Sequence, residues 1–354
     1  MAVQAKRRVR SQLRASTVDQ PKASRCFKKR SKPFSLSSMF QTISSATELN
    51  AEQTASALPY LRLARSVRGL LLDPSVSVPP RIVQPLNGGG SLFVMPAADQ
   101  RVAITKLITF VPDNPARGLP AIQGDVIVFD PHSGQRLGIL HGPTVTARRT
   151  AAVSLLAAMA LAQAPRGKLL IVGAGVQGRS HLEAFVQGLG VQEVLIASRS
   201  PSSADALVAH ARAMGVQARR VDDPNAALAE CTLVVSCTSA QAVVLHELPR
   251  DDAFVCAVGA FTPQMVEWSA HACRHMAAHG SVVVDTRDAD HEAGDLLQAG
   301  LDVTGFASLA EIVRQDPDGT QPRRRCGPVF FKSCGWAGWD LAAARCLVDG
   351  AQAD

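Results

Sequence analysis

The sequence is poor in rings: its 354 residues include one Tyr, three Trp and 12 Phe, which leaves few surfaces on which nucleobases could stack. Nucleic acid is therefore not an expected partner. No uncharged apolar run reaches the ~20 residues that cross a bilayer. The longest, Thr150 to Pro165, is Ala-rich and reads as a buried helix. The eight Cys (26, 231, 237, 256, 273, 326, 334, 346) include no CxxC pair and no Cys/His spacing suited to zinc. They read as reduced, buried thiols of a cytoplasmic protein. None of the nine His is read as a metal ligand. His181 falls in a helix and His132 and His141 in turns, so all are read as structural or exposed. GxSxG, Walker A and HExxH patterns are missing, which removes support for serine hydrolase, P-loop NTPase and zinc protease chemistry.

The formal charge of +7 is unevenly spread. Residues 1–38 carry eleven Lys/Arg and one acid, Asp19, leaving 26 basic and 29 acidic side chains in the remainder. The body is thus mildly acidic, and the total gives no reason to expect a polyanion. Residues 1–38 contain basic clusters (Lys6-Arg7-Arg8, Lys28-Lys29-Arg30) and no hydrophobic periodicity, so burial cannot offset the entropy of ordering them. A disordered basic tail is expected. An organelle-targeting presequence, a polybasic tail and translated sequence ahead of the true start all fit; the last, or a dispensable tail, is preferred. From Met39 the chain resembles a natural amino terminus, with Asn50 as N-cap of a helix patterned on Ala55, Leu58, Leu61 and Leu63.

Between Pro79 and about Leu140, short β-type runs are separated by Pro, Asn and Gly clusters, predicting a mostly antiparallel sheet. A helix over about Thr146 to Ala164 follows. Strands then alternate with helices: Lys168 to Val172, Glu193 to Ala197, Leu233 to Cys237, Phe254 to Val258, Val282 to Asp285, and finally Val329 to Lys332 before a helix over Trp339 to Leu347. The expected class is α/β, a Rossmann-type doubly wound parallel sheet combined with a mixed α+β region.

Lys168 to Val172 runs into Gly173-Ala174-Gly175-Val176-Gln177-Gly178 and then a helical stretch. In that context the glycines allow a tight turn, close approach of a pyrophosphate, and close helix–strand packing. A dinucleotide is the expected ligand. The residue that reads the ribose 2′ position should lie about 20 residues on, at the tip of the second strand. That tip is Ser198-Arg199-Ser200, with no acid. Arg199 between two hydroxyls suits a 2′-phosphate, so NADPH is expected over NADH. Further contacts are expected at the ends of later strands, from Thr238, Ser239, Val258 and Gly259.

Several separated motifs then resemble one family. Arg81, Lys106 followed by Asn114, Arg149-Thr-Ala-Ala152, the GAGVQG turn, Ala257-Val-Gly259, Asp285-Thr-Arg-Asp288, and Lys332-Ser-Cys-Gly-Trp-Ala337 with Asp340 are similar to the ornithine cyclodeaminase/mu-crystallin family. The resemblance implies a homodimer and a nucleotide-binding domain inserted into a substrate and dimerisation domain. Expected boundaries are 39–147 for the opening segment of the substrate domain, 148–327 for the NADP-binding domain and 328–354 for the return segment. The resemblance also maps the family's carboxylate-binding cations onto Arg81, Lys106 and Arg149. Each lies in or beside an apolar run, where a buried cation is costly without an anionic partner. A substrate carboxylate would provide one; a carboxylate of the protein, or snorkelling to solvent, would also do. Arg149 is preferred to Arg148 because it directly precedes Thr150-Ala-Ala152. Ser333 and Gly335 resemble the family's loop near the nicotinamide, and a packing role fits them equally. Asp285, Arg287 and Asp288 could orient a cation or a loop and are not read as catalytic.

One departure is informative. Cyclodeaminases of the family carry an acid/base aspartate two residues after the glycine of the Ala257-Val-Gly run, where this sequence has Phe261, with Pro263 and Glu267 keeping the register. A phenyl ring cannot move a proton. The resemblance then points to the reductase branch, which reduces the cyclic ketimines 1-pyrroline-2-carboxylate and 1-piperideine-2-carboxylate to proline and pipecolate. Lys106 would also polarise or protonate the imine nitrogen, and Phe261 would shape the pocket. Alternatives on the same scaffold are alanine-dehydrogenase-like or ornithine cyclodeaminase activity, or a non-catalytic NADP-binding crystallin-like protein.

Overall fold

The computed structural model describes residues 47–351 other than 240 and 320–325; the expectation for residues 1–38 lies outside the described residues. Strand β1 (Thr47–Leu49) leads to Asn50, which caps α1 (Ala51–Ala57). The Asn50 side chain accepts from the Gln53 N–H, and the Gln53 side chain accepts in return from the Asn50 N–H, a reciprocal capping box. The single helix expected here is in fact two. Pro59 disfavours helical backbone at Leu58 and offers no N–H, so α1 stops and α2 (Tyr60–Leu72) begins afresh, burying Leu63, Val67 and Leu70.

The first sheet adds β2 (Ile82–Pro85), β3 (Ser91–Ala98), β4 (Ala103–Phe110), β5 (Ile122–Phe129) and β6 (Arg136–His141) in the order β1-β6-β5-β4-β3-β2. All neighbours are antiparallel except β1 with β6. Side chains alternate between the faces of a strand, so β4 buries Ile104, Lys106 and Ile108 while Leu107 points outward. Lys106 is thus fixed among apolar neighbours by strand period alone.

Helix α3 (Gly142–Leu161) starts four residues earlier than the sequence pattern implied, because His141 accepts from the Thr144 N–H at the cap and Pro143 suits the first turn. The boundary expected between residues 147 and 148 therefore falls inside this helix. The parallel sheet follows as β7 (Leu169–Val172), α4 (Val176–Leu189), β8 (Glu193–Ala197), α5 (Pro201–Ala213), β9 (Gln217–Arg220), α6 (Pro224–Leu228), β10 (Leu233–Ser236), β11 (Phe254–Ala257), α7 (Ala270–His279), β12 (Ser281–Val284), α8 (Ala289–Glu292), α9 (Gly294–Gln298), β13 (Ala307–Ser308), α10 (Leu309–Gln315), β14 (Val329–Lys332) and α11 (Ala337–Ala351). Its order is β13-β12-β14-β11-β10-β7-β8-β9, the expected α/β class. β7, β10, β11 and β14 are buried throughout, as a sheet covered on both faces requires.

The expected return segment, 328–354, opens with β14. β14 lies inside the parallel sheet, paired with β11 and β12, because Val329-Phe330-Phe331 is apolar on both faces. The chain returns to the first sheet only with α11, which packs on α2, α3, β3 and β4. Arg345 anchors α11 there, donating to Asp99 at 2.5 Å and to Asp73. No helix among the described residues is long and apolar enough to cross a membrane.

Candidate active site

The turn between β7 and α4 has the geometry of an anion cradle. Gly173 has φ of +113°, and a Cβ there would lie 2.7 Å from the Cys237 carbonyl oxygen. At Gly178 a Cβ would lie 2.0 Å from the Gly173 carbonyl, which explains the glycine at the strand–helix contact. Among the described residues nothing lies within 4 Å of a Cβ at Gly175, and no side chain caps the first N–H groups of α4. Open space against the positive end of a 14-residue helix suits a pyrophosphate. Ala174, Val176 and Gln177 complete the turn; Val176 is 70% exposed, and the Gln177 carbonyl holds His181 Nδ1 at 2.8 Å. The other nitrogen of His181 meets Ser154 Oγ at 2.8 Å, and burial lowers the imidazole pKa to about 4. His181 is a neutral tie between α3 and α4.

At the tip of β8, Arg199 is exposed and makes no ion pair among the described residues. Ser200 caps α5 by accepting from the Ser203 N–H at 3.3 Å, and its own N–H donates to Ser198 Oγ at 3.3 Å. The tip thus presents one guanidinium and a set of hydroxyls.

The ends of β10 and β11 are joined by a residue that sequence reasoning used only as a register mark. Glu267, fully buried, accepts from the Thr238 N–H (2.6 Å), Thr238 Oγ1 (2.9 Å), the Gly259 N–H (2.8 Å) and Ser236 Oγ (3.0 Å). Behind it Lys332 donates to Asp295 at 2.7 Å, and Asp295 accepts the Glu267 and Trp268 N–H groups. Burial raises the Glu267 pKa against the pull of Lys332. Val258 is buried and Ser239 exposed beside this clasp. Asp285, just beyond β12, acts in the same way. It accepts from Ser333 Oγ (2.9 Å), the Cys334 N–H (3.0 Å) and the Gly335 N–H (2.9 Å), so it orients a loop, one of the roles its position allowed.

The loop held by Asp285 abuts the cations. A Cβ on Gly335 would lie 3.4 Å from Arg149 Nη1. Arg149 Nε is 3.5 Å from Asp340 Oδ1, and the same oxygen lies 3.2 Å from Lys106 Nζ, which also donates to Thr146 Oγ1 at 2.7 Å. Burial, with Arg149 close by, lowers the Lys106 pKa to about 8 although Asp340 opposes the shift. Arg148 points elsewhere, 3.9 Å from the Tyr60 ring centre and paired with Glu183. Arg81, the least buried of the three predicted cations, pairs with Glu292. A cleft of about 260 Å³ is lined by Arg81, Met95, Asp288, Glu292, Gly335 and Trp336, with Val78, Pro79, Pro80 and Ala337. Arg81 lines the cleft itself, whereas Lys106 and Arg149 lie behind its lining: Met95 is the cross-strand partner of Lys106, and Gly335 adjoins Arg149.

Each cation therefore has a carboxylate of the protein as partner, and burial alone does not demand an external anion. The balance is uneven, however. Lys106 and Arg149 share the single charge of Asp340, whose Oδ2 and the Arg149 Nε are buried without hydrogen-bond partners among the described residues. One positive charge is left over in a low-dielectric place, where an anion would bind strongly.

The model of the ornithine cyclodeaminase/mu-crystallin family matches residues 39–354. The chain belongs to this family. Its relatives include the Delta(1)-pyrroline-2-carboxylate reductase 1 of Burkholderia multivorans, 39% identical over 305 residues, covering 85% of this chain and 94% of the relative. The Delta(1)-pyrroline-2-carboxylate/Delta(1)-piperideine-2-carboxylate reductase of Azospirillum brasilense is 37% identical over 303 residues, covering 85% and 94%. In fold the chain is similar to the Thermococcus litoralis Delta(1)-pyrroline-2-carboxylate reductase solved with NADH and L-proline, with a TM-score of 0.73 at 23% identity, covering 86% of this chain and 94% of that one. Within the ornithine cyclodeaminase/mu-crystallin frame, the departure at residue 261 has a clear position. Phe261 stands 46% exposed, two residues beyond the Gly259 that Glu267 holds.

Proposed function

We propose that the protein reduces cyclic ketimines with NADPH, converting 1-pyrroline-2-carboxylate to proline and 1-piperideine-2-carboxylate to pipecolate. The observation that carries this reading is the unbalanced positive charge of Lys106, Arg149 and Asp340 beside a small cleft next to a dinucleotide-type crevice. The two reductase relatives support it. A nicotinamide cofactor bound at the Gly173–Gly178 turn would supply the hydride that C2 of the protonated C=N bond needs; the π electrons would pass to nitrogen, and the amine would take its proton from water. The rest falls to the chain. Lys106 and Arg149 fix the carboxylate, with Arg81 at the cleft mouth, and so set the position of the adjacent C2. Lys106, charged below about pH 8, also holds a proton available to an imine nitrogen that arrives neutral. Phe261 offers no acid or base, which favours reduction over ammonia elimination.

Arg199, Ser198 and Ser200 would read the 2′-phosphate, and the Gly173–Gly178 turn would hold the pyrophosphate, with Thr238, Ser239, Val258, Gly259 and Ser333 along the crevice. A homodimer fits the outer face of the antiparallel sheet. An open groove of about 350 Å³ there is lined mainly by Leu92, Leu107, Ile127 and Ile139, and Leu107 is 41% exposed. The cysteine pattern favours a cytoplasmic protein.

The test is NADPH oxidation with each cyclic imine, then with pyruvate plus ammonia, alongside ammonia release from ornithine with NAD⁺. Turnover with the imines is expected. Oxidation only with pyruvate and ammonia, or ammonia released from ornithine, would overturn the reading.

A further inference from the structure

We propose that Asp288 is a specificity-determining residue that recognises the positively charged ring nitrogen of the ligand. The proposal rests on the reductase reading above. A cyclic imine protonated on nitrogen and carrying a carboxylate on the neighbouring carbon is a zwitterion, so its site must satisfy one charge of each sign. The Lys106–Arg149 pair, with one positive charge left over, answers the carboxylate. An acceptor for the N–H⁺ remains to be found, and Phe261 cannot be it.

The carboxylates around the cleft and behind its loops can be taken in turn. Glu267 is spent on the Thr238 and Gly259 N–H groups, and Asp285 on the 333–335 loop. Asp295 binds Lys332, Asp340 serves Lys106 and Arg149, and Glu292 is paired with Arg81. Asp288 alone among the ionisable residues lining the cleft has no partner: it is exposed, and its side chain makes no hydrogen bond or ion pair among the described residues. It stands at the N-cap of α8, where an Asp side chain ordinarily folds back to accept a helix N–H. Here its backbone is already helical (φ −59°, ψ −26°) and the carboxylate makes no cap. That leaves it free in the cleft wall, in the same small space as Arg81. Asp288 thus lines the cleft from the loop after β12, and the cleft is also lined by Met95 and Gly335, the neighbours of Lys106 and Arg149, so a ligand there would have a partner for each of its charges close by.

A charge-assisted hydrogen bond of this kind discriminates about tenfold at a partly wet site. The experiment compares two ligands of the full-length, cofactor-loaded protein that differ at one atom: L-proline, with a ring ammonium, and cyclopentanecarboxylate, with carbon in its place. Binding is followed by quenching of bound NADPH fluorescence, and imine turnover is measured in parallel. Asp288→Asn is expected to weaken proline about tenfold, leave cyclopentanecarboxylate unchanged, and raise the imine KM more than it lowers kcat; Asp288→Glu should restore the preference for proline. Equal weakening of both ligands, or an unchanged ratio, would overturn the proposal. A wild-type protein that oxidises NADPH with neither imine would instead overturn the reductase reading, and the proline-to-cyclopentanecarboxylate ratio would still decide the role of Asp288.

Discussion

Asp340 and Lys106, 234 positions apart in sequence, meet at 3.2 Å with both side chains out of water. Their contact ties the first sheet to the returning helix α11 and sets the charge of the candidate clamp. Removing one member of a buried ion pair leaves the other uncompensated, at a cost of about 3 kcal/mol or more. Asp340→Asn is therefore expected to lower the unfolding free energy by about that amount in a urea titration. A loss below about 0.5 kcal/mol would mean that the pair is not held as described.

The same contact predicts a pH dependence. Lys106 loses its proton near pH 8 rather than at its ordinary 10.5, because burial and Arg149 outweigh Asp340. The clamp is thus fully charged below pH 8 and weaker above it. kcat/KM for the imine should fall as pH rises through 8, chiefly through KM. Lys106→Arg, which keeps its charge at all these values, should flatten that fall. Because the substrate titrates identically in both assays, an unchanged profile in the variant would place the effect in the imine and not in Lys106.

Adjacent arginines should behave oppositely. Arg149→Ala removes half of the clamp and should raise the imine KM tenfold or more while leaving NADPH affinity nearly intact; about 2 kcal/mol for a charged hydrogen bond gives that scale. Arg148 stacks on Tyr60 and donates to the Leu58 carbonyl at 2.7 Å, so Arg148→Ala should lower the melting temperature with little change in KM. The reverse pattern in steady-state kinetics and thermal melts would exchange the two assignments.

At the tip of β8, Arg199 offers a cation. Arg199→Ala should weaken NADPH about tenfold, the scale of one charge-assisted contact to a phosphate, and leave NADH nearly unchanged. Fluorescence titration with both cofactors checks this. Equal losses for both would remove Arg199 from the 2′ position.

Much of this was legible in the sequence where the physics is local. The GAGVQG turn declares itself because the backbone at Gly173 and the helix–strand contact at Gly178 admit no side chain. Uniformly apolar runs such as Val329 to Phe331 announce strands buried on both faces. β9 is hard to read because Gln217-Ala-Arg-Arg220 is a polar edge strand with only Ala218 buried. The break at Pro59 is readable from its missing N–H, but the apolar periodicity that runs across it masks the signal. What could not be read was pairing across the chain: Lys106 with Asp340, Arg81 with Glu292 at a separation of 211, and Glu267 with two distant loops. Asp340 and Glu267 sit inside the motifs that carry the family resemblance, but a motif marks a position without saying which charge it balances.

The central claim is that hydride reaches C2 of a cyclic imine whose carboxylate the clamp holds. It is tested most directly by incubating the protein with NADPH fully deuterated at the nicotinamide C4 and 1-pyrroline-2-carboxylate, then analysing the amino acid formed by mass spectrometry. Proline carrying one deuterium, located at Cα, is expected. Unlabelled proline, or no proline while NADPH is consumed with another substrate, would contradict it.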